Sequence, residues 1–360
     1  MHVETLPQPA AGMEVDAAET QTIYSPEPFF QNPSRFINVR FLAGGVQGAV
    51  WEAKDLLKNS KVVIKWSQCD NNGHPPSTML REIRVLRRAF NRHIVALHAV
   101  LYDGKGIGVV LDMAQQDLKT AITLCRPATL DVRLAKFYLR QLLDGLHYLH
   151  DELKFVHLDL KPENIVLHRN HCLRIADFGL SRPIGPAGRQ RTVVTMAYRP
   201  PEVFLRTPKF TAAADMFSVG VILQEMLGEV PWARFTWKPL PCFESMLDVL
   251  GCDAEELWDG SDLLPGLFDG EDGDGDGVDQ LAIKGQLRFR ARPRGLSSLP
   301  CSMAHAKDLI EIRDSLLVLD PIGRATARYL LKSHEGLLGD PKPVTYGHLP
   351  LVEARVRPSS

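Results

Sequence analysis

The stretch "HLDLKPEN", residues 157–164, holds three side chains whose types and spacing suit phosphoryl transfer. They are the carboxylate of Asp159, the ammonium group of Lys161 and the amide of Asn164. This reaction needs a cradle for the nucleotide phosphates, a holder for a metal ion and a carboxylate that orients the attacking hydroxyl. A chain that catalyses it must therefore supply a phosphate cradle elsewhere.

A candidate cradle is the segment "LAGGVQGAV", residues 42–50, in which Gly45 and Gly48 let the backbone approach phosphate oxygens. A turn of this kind is by itself a weak signal, because most glycine-containing turns between two β-like runs are ordinary hairpins. The order along the chain strengthens it. Lys65 ends a strand a short way downstream, Glu82 lies on the next helix, and "HLDLKPEN" and "ADFGL" follow.

The elements that must position these residues can be predicted from periodicity. Short β-like runs start near residue 36, and the helix "PPSTMLREIRVLRRAF" has an apolar stripe of Met79, Ile83, Leu86 and Phe90. Glu82 falls inside this stripe, and a carboxylate that faces the interior needs a partner. The strand "GIGVVLDM" and the helical "DVRLAKFYLRQLLDGLHYLH" come next. The pattern indicates a small β-rich lobe with one helix, then a larger helical lobe.

This ordered set resembles a eukaryotic protein kinase over about residues 36–337. The segment "PPSTMLRE" resembles the Pro-Ser-Thr-Ala-Ile-Arg-Glu helix of the cyclin-dependent kinases, and "VVLDMAQQDLKTAI" and "VVTMAYRPPEVFL" resemble their hinge and peptide-binding end. The resemblance implies an α+β bilobal fold, with an N-lobe over residues 36–113 and a C-lobe over residues 114–337. It also implies a buried structural ion pair between Glu202 and Arg324.

The same resemblance implies the cofactors ATP and Mg²⁺ and the role of each site residue. Asp159 orients the substrate hydroxyl, Lys161 steadies the γ-phosphate, and Lys65, held by Glu82, pairs with the α- and β-phosphates. The catalytic residues are Asp159, Lys161 and Thr195. Nucleotide contacts fall to Leu42, Gly45, Gly48, Val50, Lys65, Glu82, Asp112, Ala114, Asp117, Asn164 and Asp177. Of these, Asn164 and Asp177 are the metal ligands.

The activation segment departs from the family pattern. Leu158 replaces the Arg that meets an activating phosphate in many kinases, and Gln190 lies where the cyclin-dependent kinases carry the activating Thr. The phosphorylatable Thr-Tyr pair of the glycine turn is replaced by Val46 and Gln47. We therefore expect an active kinase whose loop is ordered without phosphorylation. Thr192 is the possible phosphosite left, with Arg81 and Arg182 as its partners.

The resemblance also implies partners. A cyclin-like activator is expected at the Pro76–Glu82 helix, and a protein substrate with a Ser/Thr-Pro site is expected because Val193, Val194 and Arg199 match the family's pocket. One alternative is a pseudokinase scaffold that binds a cyclin-like partner, motivated by Leu158 and by Ala43, which replaces the first Gly of the turn. Another is a cyclin-independent kinase of the same broad group, such as a mitogen-activated or casein-type relative.

Charge, cysteine content and the first residues indicate which partners and which cellular location to expect. A formal net charge of -1 argues against broad binding to nucleic acid or an anionic membrane, and the six cysteines form no CxxC pair. The first residues lack the apolar core of a secretory signal, so we expect an intracellular protein of nucleus or cytoplasm.

Residues 1–35 read as a disordered extension and 338–360 as a tail. The acidic segment 268–279 reads as a flexible loop and not as a calcium site, because Ile283 occupies the position of the required Glu.

Overall fold

The structure, a computed structural model, describes residues 35–45, 48–125, 130–186, 196–204, 209–228, 239–250 and 306–338. The predicted acidic loop and nearly all of both predicted terminal segments lie outside these ranges. The first described residue, Arg35, binds the carboxylate of Asp55 through two hydrogen bonds of 2.7 and 2.5 Å. The packed part of the chain thus includes a residue that the prediction assigned to the N-terminal extension.

The small lobe is built on a five-stranded antiparallel sheet with the strand order β1-β2-β3-β5-β4. The strands are β1 (Phe36–Gly45), β2 (Gly48–Asp55), β3 (Ser60–Gln68), β4 (Leu97–Tyr102) and β5 (Gly106–Asp112). Alternation along β3 assigns its side chains to two faces. Ile64 and Trp66 pack with Trp51 in one hydrophobic cluster, so Lys65 points to the opposite face, toward the other lobe.

Helix α1 (Ser77–Leu86) carries the predicted inward carboxylate. Its buried residues are Met79, Glu82, Val85 and Leu86, which confirms that Glu82 faces the interior. The prediction that Phe90 continues the apolar stripe is wrong, because the helix ends at Leu86 and Phe90 is 86% exposed. Four residues beyond a helix end, the 3.6-residue period no longer determines which way a side chain faces.

The large lobe is mainly helical. Its helices are α2 (Leu118–Leu124), α3 (Val132–His147), α4 (Pro201–Phe204), α5 (Ala212–Met226), α6 (Pro239–Leu250), α7 (Lys307–Leu316), α8 (Ala327–Ser333) and α9 (Glu335–Leu338). A π-helical turn, Tyr148–Glu152, follows α3 directly. Helix α5 is buried on nearly every side, which fits its mainly apolar sequence. None of the helices in the described ranges combines the length and apolar character that crossing a bilayer requires.

Short strands carry the segments that bear the site. They are β6 (Gln116–Asp117), β7 (Phe155–Val156), β8 (Ile165–Leu167), β9 (Leu173–Ile175), β10 (Arg182–Pro183), β11 (Gly185–Pro186) and β12 (Lys209–Phe210). The expected ion pair between Glu202 and Arg324 is confirmed: the guanidinium donates to both carboxylate oxygens, at 2.5 and 2.7 Å. This pair fixes α4 to the segment before α8.

Candidate active site

Lys65 is the meeting point of three chain segments. Its Nζ lies 2.9 Å from Oε2 of Glu82 on α1 and 2.7 Å from Oδ1 of Asp177. Glu82 is 1% exposed, whereas Lys65 and Asp177 are 17% and 30% exposed. Lys65 and Asp177 are therefore accessible to a ligand. Glu82 is buried and fixes the position of Lys65 from the protein interior.

The charges of this group depend on one another. Burial on its own lowers the pKa of Lys65, but the carboxylates of Glu82 and Asp177 outweigh burial and raise it. Burial raises the pKa of Glu82, and the Lys65 ammonium opposes that rise. For Asp177 burial acts in the same upward direction, but the charge and hydrogen bond of Lys65 lower its pKa overall. The ammonium of Lys65 is thus held charged, which suits the phosphate contact that the sequence predicts for it.

The catalytic loop brings Asp159, Lys161 and Asn164 together. Lys161 Nζ donates to Asp159 Oδ2 at 2.9 Å, and Asn164 Nδ2 donates to the same oxygen at 3.0 Å and to the Asp159 carbonyl at 2.8 Å. These donors fix the orientation of the Asp159 carboxylate. Because the amide nitrogen of Asn164 is used in this way, the group that Asn164 can offer a cation is its carbonyl oxygen.

The loop is held in a strained backbone conformation by Asp215 on α5. Leu158 has φ +65°, which is unusual for a residue with a side chain. The two oxygens of the buried Asp215 accept the backbone N–H groups of His157 and Leu158 at 2.7 and 2.9 Å, and His150 lies 2.8 Å from one of them. Strain of this kind persists only where the surroundings determine the conformation. Asp215 supplies that constraint here.

Leu158 itself lies in an apolar environment. It is buried and packs with Val156 and Ala214, with Val203 and Phe210 at the edge of the cluster. The absence of a guanidinium at this position therefore matches the packing around it.

The hinge that follows β5 is held by contacts that the sequence did not indicate. The carboxylate of Asp112 lies 2.7 Å from His98 Nε2, accepts the backbone N–H of Ala96 at 3.1 Å and forms an ion pair with Arg174. Burial raises the pKa of Asp112, but these partners more than offset it and lower the pKa from 3.8 to about 2. The side chain of Asp112 is thus committed to the protein, and its backbone is what remains for an adenine. The sequence held no local signal for these contacts, because Ala96, His98 and Arg174 lie 16, 14 and 62 residues from Asp112.

The glycine turn and the neighbouring strands place the other expected nucleotide contacts. Gly45 and Gly48 are paired across β1 and β2, and Ala43 is paired with Val50. Val50 is in turn paired with Lys65 across β2 and β3, so these two side chains share a face of the sheet. Gly48 has φ +125°, and an added Cβ would lie 2.1 Å from the Trp66 carbonyl oxygen. No residue other than glycine fits there.

For several expected site residues, the structure gives no contact that supports a role in binding nucleotide, or does not describe the residue. Asp117 caps the N-terminus of α2. Its carboxylate accepts hydrogen bonds from the backbone N–H of Thr120 at 2.7 Å and from the Thr120 hydroxyl at 3.0 Å. Leu42 is half-buried in β1, and Ala114 is half-buried directly after the hinge residue Met113. Thr195, with the segment residues Gln190, Thr192, Val193 and Val194, lies outside the described ranges, as do Val46 and Gln47.

The fold and this arrangement define a protein kinase. The protein kinase domain is the family whose sequence model matches residues 36–334, so the chain belongs to the protein kinase family. It is similar to Cyclin-dependent kinase 2 of Caenorhabditis elegans, with 32% identity over 236 residues that cover 64% of this chain and 64% of that protein. The family match confirms the predicted fold class, a protein kinase domain with a bilobal fold.

Proposed function

We propose that the chain transfers the γ-phosphoryl group of ATP to serine or threonine hydroxyls of protein substrates. The observation that carries this proposal is the contact of Lys65 with both Glu82 and Asp177, at 2.9 and 2.7 Å. This contact joins β3 and α1 to Asp177, one of the two expected metal ligands. The family match supports the same activity.

The residues suit the expected cofactors. Asn164 and Asp177 offer oxygen ligands, the kind that Mg²⁺ prefers, and the ammonium of Lys65 suits phosphate oxygens. When bound, ATP supplies the transferable phosphoryl group and Mg²⁺ neutralises charge on the phosphates. Lys65 then binds and orients phosphate oxygens, and Glu82 keeps Lys65 in place. Asp159 orients the substrate hydroxyl and accepts a hydrogen bond from it, and Lys161 steadies the group in transfer.

Three finer features belong to the same proposal. The kinase is Pro-directed, as the match of Val193, Val194 and Arg199 to the cyclin-dependent pattern suggests. It acts without phosphate on its activation segment, since Leu158 and Gln190 replace the receptor and the acceptor. A cyclin-like activator docks on α1 and stabilises the position of Glu82 against Lys65.

The test is radiolabelled phosphate transfer by the purified full chain, with and without a panel of purified cyclins. The substrates are a Ser-Pro peptide and a matched Ser-Ala peptide, and the control enzyme is Asp159→Asn. We expect transfer to the Ser-Pro peptide that is lost in the Asp159→Asn variant. Equal transfer to both peptides would remove the Pro preference only. No transfer with any cyclin would instead favour the pseudokinase scaffold, for which Ala43 and Leu158 are the motivating replacements.

A further inference from the structure

Lys58 and His98 form a series of contacts from the surface of the small lobe to the hinge. Lys58 lies in the exposed turn between β2 and β3, and its Nζ is 2.6 Å from Nδ1 of His98. His98 lies on β4, and its Nε2 is 2.7 Å from Oδ1 of Asp112, the last residue of β5. The imidazole therefore connects a surface lysine to the carboxylate beside the expected adenine site. We call Lys58, His98 and Asp112 the hinge relay.

The donors and acceptors of the hinge relay fit one form of the His98 ring. An ammonium group only donates hydrogen bonds, and a carboxylate only accepts them. Nδ1 of His98 therefore accepts from Lys58, and Nε2 carries the hydrogen and donates to Asp112. Both partners favour the same neutral tautomer and the same orientation of the ring. Because the side chain of His98 is only 11% exposed, it has little contact with water that could replace either partner.

The turn that carries Lys58 is itself fixed to the sheet. The backbone N–H groups of Leu57 and Lys58 point to Oδ1 of the buried Asp55, at 2.9 and 3.4 Å. Asn59 follows with φ +49°, a left-handed conformation that Asn tolerates in turns. Because the backbone of the turn is already ordered, Lys58 loses less conformational entropy when its side chain contacts His98.

The hinge relay complements a second set of contacts on Asp112. Oδ2 of Asp112 accepts the backbone N–H of Ala96 at 3.1 Å and forms the ion pair with Arg174. His98 binds the other oxygen. Both carboxylate oxygens are therefore used, and the side chain of Asp112 is held in one orientation.

The residues that follow Asp112 are held from the large lobe. The ring of His168, beyond β8, forms a hydrogen bond with the backbone of Met113. The N–H of Gln115 donates to the Leu167 carbonyl at 2.9 Å. The large lobe thus holds the hinge through these contacts, and the small lobe holds it through the hinge relay.

We propose that Lys58 and His98 are positioning residues for the nucleotide. Through Asp112 they determine the position of the hinge backbone, against which the adenine is expected to bind. This inference rests on the proposed function for the identity of the ligand. The hinge relay acts on the adenine end of the site alone, because the phosphate end depends on Lys65 and its own carboxylate partners.

The first experiment measures the binding of adenosine to the full chain by titration calorimetry. Adenosine carries the base without phosphates, so its affinity reports on the adenine end of the site. Lys58→Met and His98→Leu remove hydrogen bonds of the hinge relay, and Lys58→Arg keeps a cationic donor. The matched control is Lys105→Met, because Lys105 is exposed in the turn between β4 and β5 of the same sheet.

We expect the dissociation constant of adenosine to rise about tenfold in His98→Leu and roughly threefold in Lys58→Met, as the loss of one or two hydrogen bonds would give. Lys58→Arg and Lys105→Met should bind adenosine as wild type does. Equal affinity in all five proteins would overturn the positioning role.

Steady-state kinetics with the Ser-Pro peptide give a second readout of the same variants. The KM for ATP should rise by the same factors while kcat stays unchanged, since the phosphate end of the site is intact. A fall in kcat with an unchanged KM would contradict the proposal, because it would place the effect on the transfer step.

The third measurement needs neither nucleotide nor transfer. The backbone amide resonances of Met113 and Ala114 are followed by NMR in the free full chain. Lys58→Met should shift both resonances, and Lys105→Met should shift neither. Unshifted resonances in Lys58→Met would overturn the hinge relay whatever the kinase assay shows. Shifted resonances in a chain that binds no adenosine would support the hinge relay and contradict the proposed function instead.

Discussion

At the scale of single residues, the site depends on the ion pairs that Lys65 forms with the carboxylates of Glu82 and Asp177. Glu82 could be predicted from sequence, because helical periodicity places it among the buried residues of α1. The contact between Lys65 and Asp177 could not, since it joins positions 112 residues apart and no local pattern encodes it. The resemblance to known kinases placed both residues at one nucleotide site but did not predict their contact.

Replacing Glu82 with Gln tests the support that α1 gives to Lys65. The variant keeps the volume of the side chain and removes its charge. Lys65 therefore loses its ion pair with the buried carboxylate. We expect phosphate transfer to slow by roughly 10²-fold, because small displacements of a phosphate ligand are costly in transfer reactions. Steady-state kinetics with the Ser-Pro peptide measure this. Glu311→Gln, at an exposed position of α7, is the control and should keep the wild-type rate; an equal rate in Glu82→Gln would contradict the assigned role.

Asp112 gives a prediction about pH. Its folded-state pKa is about 2, against an ordinary value of 3.8, so its stabilising contribution is complete above pH 3.8 and is lost as the pH falls toward 2. After allowance for partial exposure, we estimate this contribution at about 1 kcal/mol. The free energy of unfolding of Asp112→Asn should therefore fall below that of wild type by about this amount at pH 7, and by about half as much at pH 3. A difference that does not change with pH would show that the ion pair is not its source.

At the scale of elements, the sequence predicted the existence and type of the main helices and strands better than their side-chain partners. The apolar stripe of α1 was identified correctly up to Leu86 and incorrectly at Phe90, because periodicity does not mark where a helix ends. The packing of Trp66 against β5 was not predicted, since it depends on the register of two strands. In that register Trp66 lies opposite Gly108.

The close approach of Trp66 to β5 predicts that Gly108 cannot be enlarged. A Cβ at Gly108 would lie 2.6 Å from the indole ring, whereas one at Gly336 on α9 would meet nothing within 4 Å. Gly108→Ala should lower the free energy of unfolding by about 2 kcal/mol through overpacking. Gly336→Ala should raise it by up to about 1 kcal/mol, because Ala favours helix over Gly. Chemical denaturation of both variants measures this, and a neutral Gly108→Ala would mean that Trp66 can move aside.

At the scale of the whole molecule, the large lobe is tied together by the buried pair of Glu202 and Arg324. The pair joins positions 122 residues apart, and the resemblance predicted it correctly. Arg324 also donates to the carbonyl oxygens of Ala213, Val318 and Leu319. The position of α4 therefore depends on a residue near the end of the domain.

Glu202 and Arg324 should be coupled in their contribution to stability. Glu202→Gln leaves a buried guanidinium without its counter-charge and should lower the free energy of unfolding by about 3 to 5 kcal/mol. Arg324→Met should cost less in the Glu202→Gln background than in wild type, because the charge pair is already broken there. Both single variants and the double variant are compared by urea denaturation beside Arg133→Gln, which breaks an exposed pair with Asp131. Additive losses in the double variant would contradict the coupling.

The proposed kinase is active without phosphate on its activation segment. The most direct test is single-turnover phosphate transfer by the full chain with its activating cyclin, after phosphatase treatment and complete removal of the phosphatase. We expect the treated enzyme to keep the rate of the untreated enzyme, and Asp159→Asn to abolish transfer in both. A rate that falls on treatment and recovers only after rephosphorylation would contradict it.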